Sequence, residues 1–120
     1  MSEIPDMVAR WKAAWESLDA ERVAALYAED GTHMSGVVTE RMGIADGTLR
    51  GRDAIRAYAA AARTRLKSFR ADIIDVVAGD GRASVEYWRV LDGDEAARTR
   101  TVEILEWRGA EITACRVFHF

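Results

Sequence analysis

Glu103 is the residue of this chain whose type and position say most about chemistry. Between Arg98 and Arg108 the side chains alternate with the period of two expected of a strand. Arg98, Arg100, Val102, Ile104, Glu106 and Arg108 form a mostly charged row that suits water or a partner surface. Thr99, Thr101, Glu103, Leu105 and Trp107 form the opposite row, and Glu103 is its one ionisable group. Unless a basic group or hydrogen-bond donors meet it, a carboxyl buried on that row loses hydration and tends to keep its proton. It could serve as an acid, a hydrogen-bond donor or a structural anchor. His33 and His119 are the only imidazoles of the chain. Their spacing does not match a metal-ligand motif, and no zinc or other metal site is expected. Neither a glycine-rich phosphate loop before a helix nor a Gly-x-Ser-x-Gly elbow occurs.

The chain that must position these groups has 120 residues, enough for one domain with its own core, and no second domain is expected. Hydrophobic residues make up 49% and charged residues 31%, the balance of a globular chain. A net charge of -3 with interspersed signs argues against nucleic acid as a partner. Cys115 is the only cysteine, so no internal disulfide can form and a reducing compartment is expected. No helix start or histidine-rich motif flags it as a nucleophile, and it reads as a small core or pocket-wall side chain. Met1 to Asp6 lacks a basic stretch followed by an apolar one, and no apolar run is long enough to span a membrane. A cytoplasmic location is the expectation.

Met7, Val8, Trp11, Ala14, Trp15 and Leu18 recur at helical spacing after Pro5. Asp19 is suited to cap a second short helix that buries Val23, Leu26 and Tyr27. Gly31 is expected to end this helical hairpin. Thr32 to Val38, rich in β-branched residues, then reads as a first strand, with His33 and Ser35 on one side. Thr39 to Gly51 holds three glycines and reads as a loop long enough to be a lid or rim. A third helix is predicted over Arg52 to Leu66, with Ile55, Tyr58, Ala59, Ala62 and Leu66 on one stripe. Ile73–Ala78, Ala83–Leu91, Thr99–Trp107 and Ile112–Phe120 read as four strands joined by turn-forming links. Helices first and an antiparallel meander afterwards make an α+β fold: three N-terminal helices on a curved, mostly antiparallel sheet around a conical cavity. Small molecules would bind in that cavity.

At this point the chain resembles a known family. Leu26-Tyr27-Ala28-Glu29-Asp30-Gly31-Thr32, the run Leu49 to Tyr58 and the closing strand pair look like the nuclear transport factor 2-like superfamily, in its SnoaL-like and ketosteroid-isomerase-like branch. The resemblance covers nearly the whole chain and implies a single SnoaL-like domain over residues 1–120, a cystatin-like α+β barrel. This fold hosts isomerases, cyclases, dehydratases, epoxide hydrolases and proteins without catalysis, so the reaction must be read from the pocket. Position by position, the isomerase general base falls on Ser35 and the oxyanion-hole tyrosine on Trp11, so both roles are replaced. The isomerase carboxylic acid, kept neutral by an apolar site, falls on Glu103. The histidine and aspartate of SnoaL-type cyclases fall on Cys115 and Val117. The same mapping turns His119 inward beside Glu103, and His33 inward from the first strand.

A carboxyl and one or two imidazoles would then face an apolar, tryptophan-rich cavity. A neighbouring carboxylate raises the pKa of a histidine and fixes its tautomer, so Glu103 and His119 could shuttle a proton on a carbonyl, enol or epoxide. The same pair also reads as a structural hydrogen bond between buried polar groups. Trp11, Trp15 and Trp88 offer flat surfaces for a cyclic ligand, although helical spacing explains Trp11 and Trp15 equally well as core. Tyr27 and Tyr58 could reach the cavity or pack as core rings. In the strand 83–91, Val85, Tyr87, Arg89 and Leu91 oppose Ser84, Glu86, Trp88 and Val90, and the resemblance favours the first row inward. Arg89 could then pair with Glu103 and hold it ionised; the other choice would bury Glu86.

The expected catalytic residues are Glu103 and His119. Trp11, Trp15, Tyr27, His33, Ser35, Tyr58, Tyr87, Arg89, Thr101, Cys115 and Val117 would contact substrate. The function expected is a cofactor-independent isomerase, dehydratase, cyclase or hydrolase acting on a small apolar or cyclic molecule. A non-catalytic, dimeric ligand-binding module and a partner-docking domain stand as alternatives. On the outer sheet face Val102, Ile104, Arg100, Arg116 and Phe118, with Phe120, mix apolar and charged groups and predict a homodimer.

Overall fold

The computed structural model describes residues 4–120. The part of the leader reading that concerns residues 1–3 lies outside them. The chain opens with helices α1 (Asp6–Ser17) and α2 (Ala20–Ala25), then strand β1 (Tyr27–Met34), helix α3 (Gly36–Met42), strand β2 (Thr48–Arg50) and helix α4 (Arg52–Arg65). Four strands follow: β3 (Phe69–Gly79), β4 (Arg82–Leu91), β5 (Thr99–Arg108) and β6 (Glu111–His119). They form one six-stranded sheet in the order β2-β1-β6-β5-β4-β3. All neighbours are antiparallel except β1 and β6, which run parallel. The expected α+β class is the observed one, and the sheet curves against its helices without closing, since β2 and β3 remain its two edges. No helix among the described residues is long and apolar enough to cross a membrane.

The helices form where the apolar spacing placed them. α1 buries Met7, Val8, Trp11, Ala14 and Trp15, one stripe at intervals of three and four. Leu18 closes it in the left-handed region, and Asp19 caps α2 by accepting from the backbone N–H groups of Glu21 and Arg22. α4 buries Ile55, Tyr58, Ala59 and Ala62, and the two alanines allow close approach to its neighbours. Two polar ties fix the helices over the sheet. Lys12 of α1 donates to the Ala71 carbonyl at 2.7 Å, while the Ala71 N–H donates to Glu16 at 2.9 Å. Arg52 of α4 donates to the Tyr27 carbonyl at 2.8 Å and pairs with Glu111 at 2.8 Å, joining α4 to β1 and β6.

The region around residues 27–51 departs from the sequence reading. The first strand starts at Tyr27 and stops at Met34, because Ser35 turns the chain and its Oγ accepts the Val37 N–H to cap α3. Val37, Val38 and Thr39 have strand-forming side chains, yet Val38 is buried within a helix. Thr39–Gly51 is therefore no open loop but the end of α3, a turn and edge strand β2. Gly47, at φ 69°, brings its carbonyl to within 2.9 Å of the Ser35 N–H, and a Cβ there would stand 2.7 Å from the Ser35 carbonyl oxygen. Gly31, expected to end the helical hairpin, lies inside β1 where the pairing with β6 shifts register. A Cβ on it would come within 3.0 Å of both the Ala28 and Ile112 carbonyls.

The meander follows the period-two reading. In β4, Val85 and Tyr87 are buried and Arg89 points the same way, so the first of the two rows faces inward. In β5, Thr101, Glu103 and Leu105 are buried. Register then sets the neighbours of Glu103: Val85 stands opposite it on β4 and Val117 on β6.

Candidate functional site

A pocket opens between α1, α4 and the inner face of the sheet, with a cavity volume of about 50 Å³. Trp11 and Trp15 come from α1, Tyr58 and Arg65 from α4, and Phe69 from the start of β3. Tyr87 and Arg89 of β4, Glu103 of β5, Val117 and His119 of β6, and His33 with Ser35 at the end of β1 complete the wall.

Glu103 is 3% exposed, and three donors from three elements meet its two oxygens. Trp11 Nε1 donates to Oε2 at 2.8 Å across the pocket from α1. The Cys115 thiol, two residues before the Val117 opposite Glu103, donates to Oε2 at 2.7 Å. The Tyr87 hydroxyl, two residues past the facing Val85, donates to Oε1 at 2.8 Å. These bonds favour the charged form, as does the more distant Arg89, but burial outweighs them and the Glu103 pKa is raised. The Tyr87 and Cys115 pKa values are also raised, first by burial and then by the negative charge of Glu103. Neither Arg89 nor His119 hydrogen-bonds to Glu103; its partners are Trp11, Tyr87 and Cys115.

A second buried pair lies beside the first. The Tyr27 hydroxyl stands 2.9 Å from His33 Nδ1, and burial lowers the His33 pKa to about 4. The imidazole is therefore neutral at pH 7, with Tyr58 and Trp15 packed 5.7 and 5.5 Å from it between ring centres. The Trp15 Nε1 donor is buried with no hydrogen-bond partner among the described residues. His33, Glu103 and Cys115, spread over β1, β5 and β6, bring potential ligand atoms within 4.8 Å of one another. Nothing in their sequence spacing signals that convergence. A tetrahedral metal would hold a thiolate sulfur and a carboxylate oxygen about 3.5 Å apart. Cys115 Sγ and Glu103 Oε2 stand 2.7 Å apart, closer than that, with the thiol as donor to the carboxyl.

The mouth differs from this interior. His119 is exposed at the rim rather than buried, with Nδ1 3.3 Å from Thr101 Oγ1. The protein packed on its inner side and the charge of Arg89 hold its pKa below the ordinary histidine range. Arg89 and Arg65 line the pocket and make no hydrogen bond or ion pair among the described residues. Burial raises the Tyr58 pKa, and the charges of these two arginines oppose that rise.

Of the residues expected to contact substrate, Trp11, Trp15, His33, Ser35, Tyr58, Tyr87, Arg89 and Val117 line the pocket, with Glu103 and His119. Tyr27, Thr101 and Cys115 lie behind that wall and support it through His33, His119 and Glu103 respectively. Trp88 is on the outer face, where the guanidinium carbons of Arg98 and Arg100 sit 4.4 and 5.6 Å from its ring centre. Arg65 and Phe69 went unrecognised in the sequence. Arg65 follows Tyr58 by seven residues, two helical turns on the same face, which is the signal that could have found it.

Helices gathered on one face of a curved mixed sheet, with an apolar pocket between them, define the ketosteroid-isomerase-like class of fold. The chain belongs to the SnoaL-like domain family, whose model matches residues 8–115. No curated protein matches it in sequence. Among solved structures it is similar to a SnoaL-like protein of unknown function from Burkholderia thailandensis, with a TM-score of 0.79 and 18% identity over 93% of this chain and 89% of that one. A ketosteroid-isomerase-like protein from Catenulispora acidiphila, solved in complex with trimethylamine, superposes with a TM-score of 0.77 and 22% identity, covering 97% and 86%. A proposed polyketide cyclase from Sinorhizobium meliloti gives 0.76 and 15%, covering 96% and 95%. These likenesses establish the fold.

Proposed function

We propose that the chain is a small-molecule pocket protein acting as a cofactor-independent acid/base enzyme of the isomerase, dehydratase, cyclase or hydrolase type on an apolar or cyclic substrate. The observation that carries this is Glu103: a buried carboxyl on the pocket wall, held by Trp11, Tyr87 and Cys115, with no cation in contact among the described residues. Burial favours its protonated form. One oxygen then becomes a donor. Tyr87 is the partner suited to receive it, because a phenol hydroxyl both donates and accepts. With Glu103 donating to Tyr87 Oη, the Tyr87 hydroxyl hydrogen is free to turn into the pocket and bond a substrate carbonyl or enol oxygen. His119, neutral at pH 7, can accept a proton from the carbon beside that carbonyl and return it elsewhere. The exposed imidazole exchanges that proton with water before one is returned to carbon, so protons balance and no cofactor is consumed.

This predicts that the protein exchanges the α-protons of small cyclic ketones with D₂O, measured by proton NMR. Glu103→Gln and His119→Ala should each slow exchange by about 100-fold, the usual scale of acid/base assistance. Equal exchange in wild type and both variants would favour a non-catalytic binding module instead. That second reading has its own support, since both Glu103 oxygens are occupied and the isomerase-base position is held by Ser35, which caps α3.

The same proposal includes a cytoplasmic location, which the single thiol fits, and a homodimer through the sheet. On the outer face, Val77 of β3 and Phe118 of β6 are 69% and 41% exposed, and Val102 and Ile104 lie on the same face of β5. Light scattering should give twice the chain mass, and Phe118→Glu should return it to the monomer value.

A further inference from the structure

Seven arginines of the described chain are partly buried: Arg10, Arg52, Arg56, Arg65, Arg70, Arg89 and Arg116. Five of them are anchored. Arg10 donates to the Ala110 carbonyl, and Arg52, Arg56, Arg70 and Arg116 pair with carboxylates. Arg65 and Arg89 bond to nothing among the described residues, and both line the pocket. A guanidinium withdrawn from water beside apolar rings is costly without an anion. Phe69 and Leu66 supply that apolar setting at the same wall. Among the described residues the one carboxyl lining the pocket is Glu103, and its two oxygens already accept from Trp11, Tyr87 and Cys115. The counter-charge has to come from the ligand.

We infer that Arg89, with Arg65 of α4, is a receptor at the pocket mouth for the carboxylate of a small organic acid. The acid's own carbonyl or hydroxyl oxygen would reach the Tyr87 hydroxyl, behind which Glu103 stands. Carboxylate suits the fork of a guanidinium, which offers two parallel donors. Spacing sets the ligand's length. Tyr87 and Arg89 occupy successive inward positions of β4, about 7 Å apart along the strand. The acid is therefore short, with its two oxygen-bearing groups separated by a few carbons, which accords with the narrow cavity. The charge of Arg89 opposes protonation of Glu103, so a carboxylate seated on it would remove that opposition and favour the acid form as the substrate arrives.

This assignment rests on the pocket reading above, and the test separates the two. 4-Oxopentanoate and 5-oxohexanoate would be titrated into the protein beside their amides, which keep shape and ketone but lose the charge. Tryptophan fluorescence is the readout, since Trp11 and Trp15 line the pocket. The acids are expected to bind at least 10-fold tighter than the amides, with the preference shrinking in salt. Arg89→Gln should shrink the ratio, and Arg89→Gln combined with Arg65→Gln should bring it to about one. Equal binding of acid and amide by the wild type, or an acid preference that survives undiminished in the double variant, would overturn the receptor and leave the pocket standing. Failure of all four compounds to bind would sink the pocket reading itself, and this one with it.

Discussion

At the floor of the pocket, both oxygens of Glu103 are engaged by Trp11, Tyr87 and Cys115, and Tyr27 pairs with His33 beside them. At the mouth, Arg65 and Arg89 bond to nothing among the described residues, and His119 has one long contact to Thr101. The floor belongs to the folding problem, because each of its polar groups is dry and its partners come from different elements. The mouth is almost independent of folding. A side chain there can change without leaving a buried atom unpaired, so ligand choice can vary on a fixed interior.

The widest separation of the two regions should come from Trp11→Ala. It opens a cavity and strips a donor from a buried carboxyl, and a loss of about 3–5 kcal/mol is expected in urea unfolding. Next is the pH response of His33. Its pKa is about 4 in the folded chain against an ordinary 6.5, so the unfolded chain takes up a proton that the folded chain refuses. Its contribution to stability is full above pH 6.5 and drains away as the pH falls towards 4, by about 3 kcal/mol. His33→Gln should flatten that acid limb in urea midpoints taken across the range. Glu103 works in the opposite sense. Its raised pKa gives a contribution that is full below pH 4.5 and is lost as the pH rises through the folded value, and Glu103→Gln should abolish that loss.

Tyr87→Phe leaves Glu103 Oε1 without a donor and should cost about 1–3 kcal/mol in the same assay. The smallest effect is expected of Arg89→Gln, within about 0.5 kcal/mol, because no protein group loses a partner. Its signature lies elsewhere: the His119 pKa should move up towards 6.5 in an NMR titration, since the charge of Arg89 helps to hold it down. A large stability loss in Arg89→Gln, or none in Tyr87→Phe, would erase the distinction between floor and mouth.

These regions were unequally legible in the sequence. Glu103 stood out because period two isolates it on an apolar row, and the same alternation located β4, β5 and β6 to within a residue or two. Its donors did not stand out. Trp11 lies 92 residues before Glu103, and a helical tryptophan looks the same whether its N–H is paired or idle. Cys115 read as a wall residue, and only the register of β5 against β6 shows its thiol aimed at a carboxyl. α3 was hidden because capping by Ser35 outweighs the strand preference of Val37 and Val38, a local competition that composition does not resolve. The anchored and idle arginines were equally indistinguishable, since pairing is a property of three-dimensional neighbours.

The position of β6 has a consequence in time. It is the strand between β1 and β5, and it is the sole bridge within the sheet between the β1–β2 edge and the meander. Ile112 N–H reaches the Leu26 carbonyl at 2.7 Å, a contact between residues far apart along the chain. Such long-range closure is slow compared with helix or hairpin formation. During synthesis the helices and the β3–β5 meander can assemble while Glu103 still lacks the thiol of Cys115. The pocket should therefore be the last part of the molecule to become dry, with β6 acting as the zip that seals it.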